Sequence, residues 1–211
     1  MNPTRTTHVT QPGDLEAVAG RGALLGAMNA GGFGVAWSQW AAAGVSGAAS
    51  GAIRIAGIAV GLAIVLAGAR LRRESRRETR PASSRPWPTH SKGTFSPRSY
   101  LVVVGIEILA IGAGNAILTA AGLSDYVIAW TAVVVGMHFL AFGRLFFPGY
   151  YWLGAALIGS GIVGAVVGLS GGGLAATEVA SGLMAAVSLF VAGGFTVLTA
   201  ARRDLRMGRR S

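Results

Sequence analysis

The chain has 211 residues, of which 52% are hydrophobic and only 12% are charged, and its formal net charge is +10. Because about 25% of the residues in an ordinary soluble domain are charged, this composition argues against a soluble globular protein. The absence of cysteine excludes a disulfide framework, a thiolate nucleophile and a cysteine-ligated metal.

Six apolar segments are long enough to be membrane-spanning helices, because crossing the hydrocarbon core takes about 20 helical residues. They are residues 22–43, 49–69, 100–122, 125–147, 152–169 and 180–200. Short connections join them in pairs, and these connections contain the related sequences "GVS" at 44–46, "GLS" at 122–124 and "GLS" at 168–170. The sequence therefore predicts an all-α, six-transmembrane-helix bundle made of three repeated helical hairpins.

This pattern also predicts the organisation of the chain. We expect five consecutive parts: a cytoplasmic N-terminal segment (1–21), a first hairpin (22–69), a basic, disordered connector (70–99), two further hairpins (100–200) and a basic tail (201–211). The polar first part, with two acidic residues, does not resemble a cleavable signal peptide.

The orientation follows from the basic residues. Of the 18 lysines and arginines, 17 lie in the N-terminal segment, the connector, the tail or at Arg144, and none lies in the turns near 44–48, 123–125 and 170–178. By the positive-inside rule, both termini and the connector are cytoplasmic, in the cell membrane. The connector is expected either to bind anionic lipid head groups or to remain solvated as a topology signal, and we expect no nucleic-acid partner.

Two glycine pairs, Gly57-xxx-Gly61 and Gly164-xxx-Gly168, have the spacing that lets helices cross closely. We expect them to serve packing, either within the chain or between copies of it. The second alternative would make the protein a homo-oligomer.

Polar residues inside three of the predicted spans recur on one helical face. Residues at positions i, i+4 and i+8 stay near one face, and such stripes are formed by Asn29, Phe33 and Trp37; by Glu107, Ile111 and Asn115; and by Trp130, Val134 and His138. If the stripes converge, they enclose an apolar pocket with a few polar groups, which is typical of a small-molecule site.

Other polar residues lie nearer the outer ends of the spans. Tyr126 and Arg54 are further candidates for substrate binding. Structural alternatives exist for most candidates. Tyr126 and the tryptophans fit an aromatic belt at the membrane surface, the asparagines fit interhelical hydrogen bonds, His138 fits a satisfied core position, and Arg54 would extend outward or pair with Glu178 or Asp125.

Glu107 is the candidate with the clearest functional interpretation, since acidic residues inside a span are rare and usually functional. Apolar surroundings disfavour the charged carboxylate, so a neutral acid near His138 could exchange a proton with the cytoplasm.

Several chemistries are excluded. The sequence contains no phosphate-binding glycine loop, no zinc-type histidine motif and no serine nucleophile elbow. We expect neither a metal nor another cofactor.

The segment "MHFLAFGRLF" at 137–146 is similar to a motif of small polytopic bacterial membrane proteins of unassigned function. In size, span count and Glu107-to-Asn115 spacing, the chain also resembles the bacterial membrane-embedded terpene cyclases of diketopiperazine–sesquiterpene (drimentine-type) pathways. The resemblance implies proton-initiated cyclisation of a prenylated indole, with Glu107 as the acid and Asn115 and His138 orienting it or accepting the final proton.

Two functional classes fit the residues themselves. In the first, Glu107 is the general acid of a cyclase, tryptophan faces stabilise a cationic intermediate and apolar walls exclude water. In the second, Glu107 and His138 relay protons in a small transporter whose glycine-rich helices rearrange around the site. A non-catalytic membrane component is the remaining alternative. The expected partners are membrane lipids and a lipophilic small molecule.

Overall fold

The structure is a computed structural model that describes residues 12–78, 97–145 and 148–208, with side chains for 22–75, 100–144 and 148–203. Within these ranges the chain forms six α-helices and no β-strand. The helices are α1 (Pro12–Ala43), α2 (Gly47–Glu78), α3 (Pro97–Ala120), α4 (Val127–Leu145), α5 (Gly149–Val167) and α6 (Gly173–Gly208). The predicted all-α class is confirmed.

Four helical stretches in the described part of the chain are long and apolar enough to cross a membrane: 47–75, 100–120, 124–144 and 149–203. The last one contains α5, a tight turn and most of α6. The first predicted span, 22–43, is helical but is not among the four. Asn29, Gln39 and several glycines lower its hydropathy.

Helix α1 lies between α2 and α6 and runs antiparallel to both. A Cβ atom on Gly31 would lie 3.0 Å from the carbonyl oxygen of Gly61 in α2, and one on Gly193 of α6 would lie 3.1 Å from the carbonyl oxygen of Ala27. Gly57 faces the hydroxyl of Ser38 even more closely, so that an added Cβ atom would overlap it. The Gly57/Gly61 pair therefore packs helices within the chain, as one of the two alternatives predicted.

Helices α4, α5 and α6 also pack closely through glycines. Gly136 of α4 and Gly154 of α5 face each other, and a Cβ atom on either would lie 2.7 Å from the carbonyl oxygen of the other. On α5, Gly164 faces Ser181 and Gly168 faces Thr177, both on α6. A buried apolar cluster joins α1, α4, α5 and α6, and it includes Trp37, Ala132, Leu157 and Leu189.

Helix α3 is the peripheral element. It packs mainly against α4, and none of its described residues is fully buried within the chain. Most of its large apolar side chains are exposed, including Leu101, Ile106 and Leu109. Among the described residues, α3 is therefore held mainly through its contacts with α4.

The connector differs in part from its expected disorder. Helix α2 continues through its first nine residues to Glu78, where Arg70 and Glu74 form an ion pair one helical turn apart. Pairs with this spacing stabilise a helix in water. Residues 79–96, like 1–11 and 209–211, lie outside the described residues.

The three turns that follow α1, α3 and α5 are not built alike, although their sequences are related. Left-handed backbone occurs at Gly47 after the first "GVS", at Gly122 within the second sequence, and at Gly171 and Gly173 after the third. Gly168 itself is right-handed helical. The shared Gly–apolar–Ser sequence therefore does not encode a shared turn conformation, and nothing in the turns supports a repeat.

Candidate functional site

Glu107 of α3 and His138 of α4 meet at the interface of these two helices. The Oε2 atom of Glu107 lies 3.0 Å from Nδ1 of His138, and their side chains are only 18% and 9% exposed. Sequence analysis placed each residue on the polar stripe of its own helix, and the antiparallel packing of α3 on α4 brings the two residues into contact.

The contact is close, but the Nδ1 atom of His138 has no hydrogen-bond partner among the described residues. A carboxyl group and an imidazole are side chains that commonly act as general acid or base, and here they meet across the interface of two helices.

Aromatic rings surround the histidine side of the pair. The centroid of Phe142 lies 4.0 Å from that of His138, and that of Phe139 lies 5.6 Å away. Tyr100 of α3 stacks on Phe142 at 5.7 Å, and Tyr150 of α5 contacts Phe139 at the same centroid distance. We call Tyr100, Phe139, Phe142 and Tyr150 the aromatic cluster. It presents π faces beside an ionisable pair, an arrangement that attracts cations.

Trp130 makes the second polar contact between α3 and α4. Its Nε1–H donates to the carbonyl oxygen of Ala110 at 3.1 Å, and its ring lies so close to Gly114 that any Cβ atom there would overlap it. Trp130 and His138 thus face α3 from the same side of α4, as their shared stripe predicts. Asn115, next to Gly114, has a buried Oδ1 without a hydrogen-bond partner among the described residues.

Comparison with known proteins adds nothing to these contacts. No protein family, curated protein or solved structure matches this chain. Its function must therefore be argued from its own residues.

The predicted stripe on α1 does not reach the pair. Trp37 is 2% exposed and belongs to the buried apolar cluster, whereas Phe33 is 61% exposed and Asn29 is also exposed. The physical reason is the helical period, because each step of four residues rotates the side chain by about 40°. Two such steps carry Asn29 off the face that α1 buries against α6.

The two outer candidates also have separate surroundings. The ring of Tyr126 lies against Gly168 at the end of α5, where a Cβ atom would be 2.9 Å from its Cε1 atom. Arg54 donates from Nη1 to Oε1 of Gln39 at 3.2 Å. Within the described residues it forms no ion pair with Glu178 or Asp125, which was one of the two structural alternatives expected for Arg54. Arg54 on α2 and Gln39 on α1 belong to the same helical hairpin, so Gln39 is the polar side chain across from Arg54.

Sequence analysis missed the aromatic cluster. Its signal was present in "MHFLAFGRLF", where His138 and Phe142 are four residues apart and hence on one face. The contributions of Tyr100 and Tyr150 come from other helices and have no local signal. In the part of the chain with described side chains, no three histidine, aspartate or glutamate residues are grouped so that they could hold a metal ion.

Proposed function

We propose that the chain is a six-span membrane protein in which α1 completes the bundle and both termini face the cytoplasm of a bacterial cell. Support comes from the four apolar stretches, which account for five of the helices. Further support comes from the packing of α1 between α2 and α6, and from the exclusion of basic residues from the three outer turns.

Within this bundle, the function proposed is that of a metal-independent terpene cyclase acting on a prenylated, lipophilic substrate such as a farnesylated indole. The observation that carries the proposal is the 3.0 Å contact between Glu107 and His138 beside the aromatic cluster. Protonation of an alkene requires a proton donor held away from water, and cationic intermediates require π faces.

The proposed reaction is an isomerisation. The proton held by the Glu107–His138 pair leaves from the Glu107 carboxyl, and the π electrons of a terminal alkene form the new C–H bond. The neighbouring carbon becomes cationic, and successive internal alkenes close rings on it. The last cation loses a proton to the Glu107 carboxylate, directly or by way of His138, so no oxidant, reductant or co-reactant is consumed.

The decisive experiment uses Glu107→Gln, which keeps the shape of the side chain but removes its proton. Membranes containing the wild-type protein and a farnesylated indole should form a cyclised product of unchanged mass, and the variant should form none. Glu178→Gln is the matched control, because it changes an acid on α6 that has no contact with the pair. Unchanged product from the Glu107 variant would refute the acid role.

The second candidate is a proton-coupled carrier, and the observation that favours it is the attachment of α3. Since α3 packs mainly on α4, breaking one interface would release the helix that holds Glu107. A carrier would move the unaltered farnesylated indole across sealed vesicles when a pH gradient is imposed, and the Glu107→Gln variant would lose that coupling. Conversion of the substrate without flux favours the cyclase.

A further inference from the structure

Helices α2 and α6 both extend well beyond the length that a membrane requires. Helix α2 has 32 residues and α6 has 36, and at a rise of about 1.5 Å per residue they measure about 48 and 54 Å, against about 30 Å for the hydrocarbon core. Since each packs antiparallel to α1, they run parallel to each other, and their C-terminal extensions leave the bundle at the same end.

The register of the two helices brings these extensions side by side. A small apolar cluster contains Ile64 and Val197, with Leu71 and Phe190 packed against it. The cluster covers one heptad on each helix, from Ile64 to Leu71 on α2 and from Phe190 to Val197 on α6. The two helices therefore remain adjacent up to the level of Leu71 and Val197. Gly193 of α6 faces Ile64 of α2, so eight residues further along, Arg72 on α2 lies level with Ala201 on α6, which directly precedes Arg202 and Arg203.

Four of these arginines have no acidic partner among the residues whose side chains are described: Arg72, Arg73, Arg202 and Arg203. Arg70 differs, since Glu74 neutralises it at 2.9 Å. Arg72 is notable because its Nε is buried and has no hydrogen-bond acceptor among the described residues. A buried donor without an acceptor is costly, and the charge of this half-buried side chain is not compensated by an acid among the described side chains.

We propose that the arginine end of α2 and α6 is a binding site for the phosphate of an anionic phospholipid in the cytoplasmic leaflet. Guanidinium groups bind phosphate through paired N–H donors, and arginine clusters beside membrane helices attract anionic head groups. The lipid is favoured over free phosphate because exposed apolar side chains, Leu66 on α2 and Leu198 on α6, precede the arginines by one to two helical turns and could contact its acyl chains. The inference requires membrane insertion but neither of the two proposed activities.

The test is native mass spectrometry of the full chain in detergent, supplied with phosphatidylglycerol or phosphatidylcholine. The wild-type protein should retain phosphatidylglycerol preferentially. Arg72→Gln and Arg202→Gln should each weaken its retention about five-fold, which corresponds to about 1 kcal/mol per arginine near the surface. Arg72→Lys keeps the charge but loses the paired donors, so its retention of phosphatidylglycerol should lie between that of the wild type and that of Arg72→Gln.

Arg144→Gln is the matched control, because Arg144 is an exposed basic residue at the end of α4 without a partner in the described part of the chain. The Arg144→Gln variant should retain phosphatidylglycerol as well as the wild type does. Equal losses in the Arg144 and Arg72 variants would show diffuse charge attraction and overturn the site. Displacement of the lipid by millimolar inorganic phosphate would assign the site to free phosphate instead and would also overturn the proposal.

Discussion

At Gly164 of α5, a hydrogen atom occupies the place where any other residue would put a carbon against the hydroxyl of Ser181. Ser181 is fully buried in α6, and its hydroxyl has no partner among the described residues. The two helices therefore fit sterically, because Gly164 has no side chain and leaves room for the small side chain of Ser181. Such contacts drive helix association inside a membrane, where the hydrophobic effect contributes little.

Gly164→Ala should therefore destabilise the bundle. The added carbon has no space, and overpacking typically costs about 1–3 kcal/mol. Gly159→Ala on the same helix is the control, since nothing lies within 4 Å of the added carbon, and loss of a glycine from a helix stabilises by about 0.5–1 kcal/mol. Unfolding of both variants in one detergent measures the difference, and equal effects would contradict the packing described for Gly164.

Among the helices, α3 is the one whose position depends on a few side chains. Its contacts with α4 include the ion pair of Glu107 with His138 and the fit of Trp130 against Gly114 and Ala110. The same helix carries the acid of the proposed function. A substitution that loosens the packing of α3 on α4 should therefore also disturb the contact between Glu107 and His138.

Trp130→Phe tests this dependence. It keeps an aromatic ring over Gly114 but removes the N–H that donates to Ala110, and a net loss of about 1 kcal/mol is expected from one hydrogen bond. Trp152→Phe is the control for the exchange itself, since Trp152 is 83% exposed on α5. Melting of the two variants should differ, with only the Trp130 variant falling below the wild type. Identical melting would mean that the indole N–H does not hold α3.

On the scale of the whole molecule, the arginines are segregated from the turns that follow α1, α3 and α5. These three turns contain exposed serines at 46, 124 and 170 and no basic residue, while the long helices α2 and α6 end in arginine-rich extensions. Moving an arginine cluster through the hydrocarbon core is strongly unfavourable. This asymmetry supports the orientation proposed for the six spans.

The absence of cysteine from the chain makes that orientation directly measurable. Single variants Ser46→Cys, Ser124→Cys and Ser170→Cys should react with a membrane-impermeant maleimide in intact cells. Ser211→Cys in the basic tail should react only after the membrane is permeabilised. Labelling of Ser46→Cys only after permeabilisation would place α1 and α2 differently from the six-span arrangement.

The sequence by itself determined the helical class and the apolar stretches, and it selected Glu107 and His138 as candidate site residues, because hydropathy and charge can be read from each residue separately. It also indicated the close crossings at Gly57, Gly61, Gly164 and Gly168, since small residues at this spacing have one main use in apolar helices.

Only the tertiary structure decided which helical faces meet. It buried Trp37 in the core, left Phe33 and Asn29 exposed, paired Arg54 with Gln39 and assembled the aromatic cluster from three helices. The reason is that in a chain apolar on nearly every face, periodicity cannot distinguish a face turned toward lipid from one turned toward another helix. That choice depends on the steric fit of glycines and side chains from distant parts of the sequence.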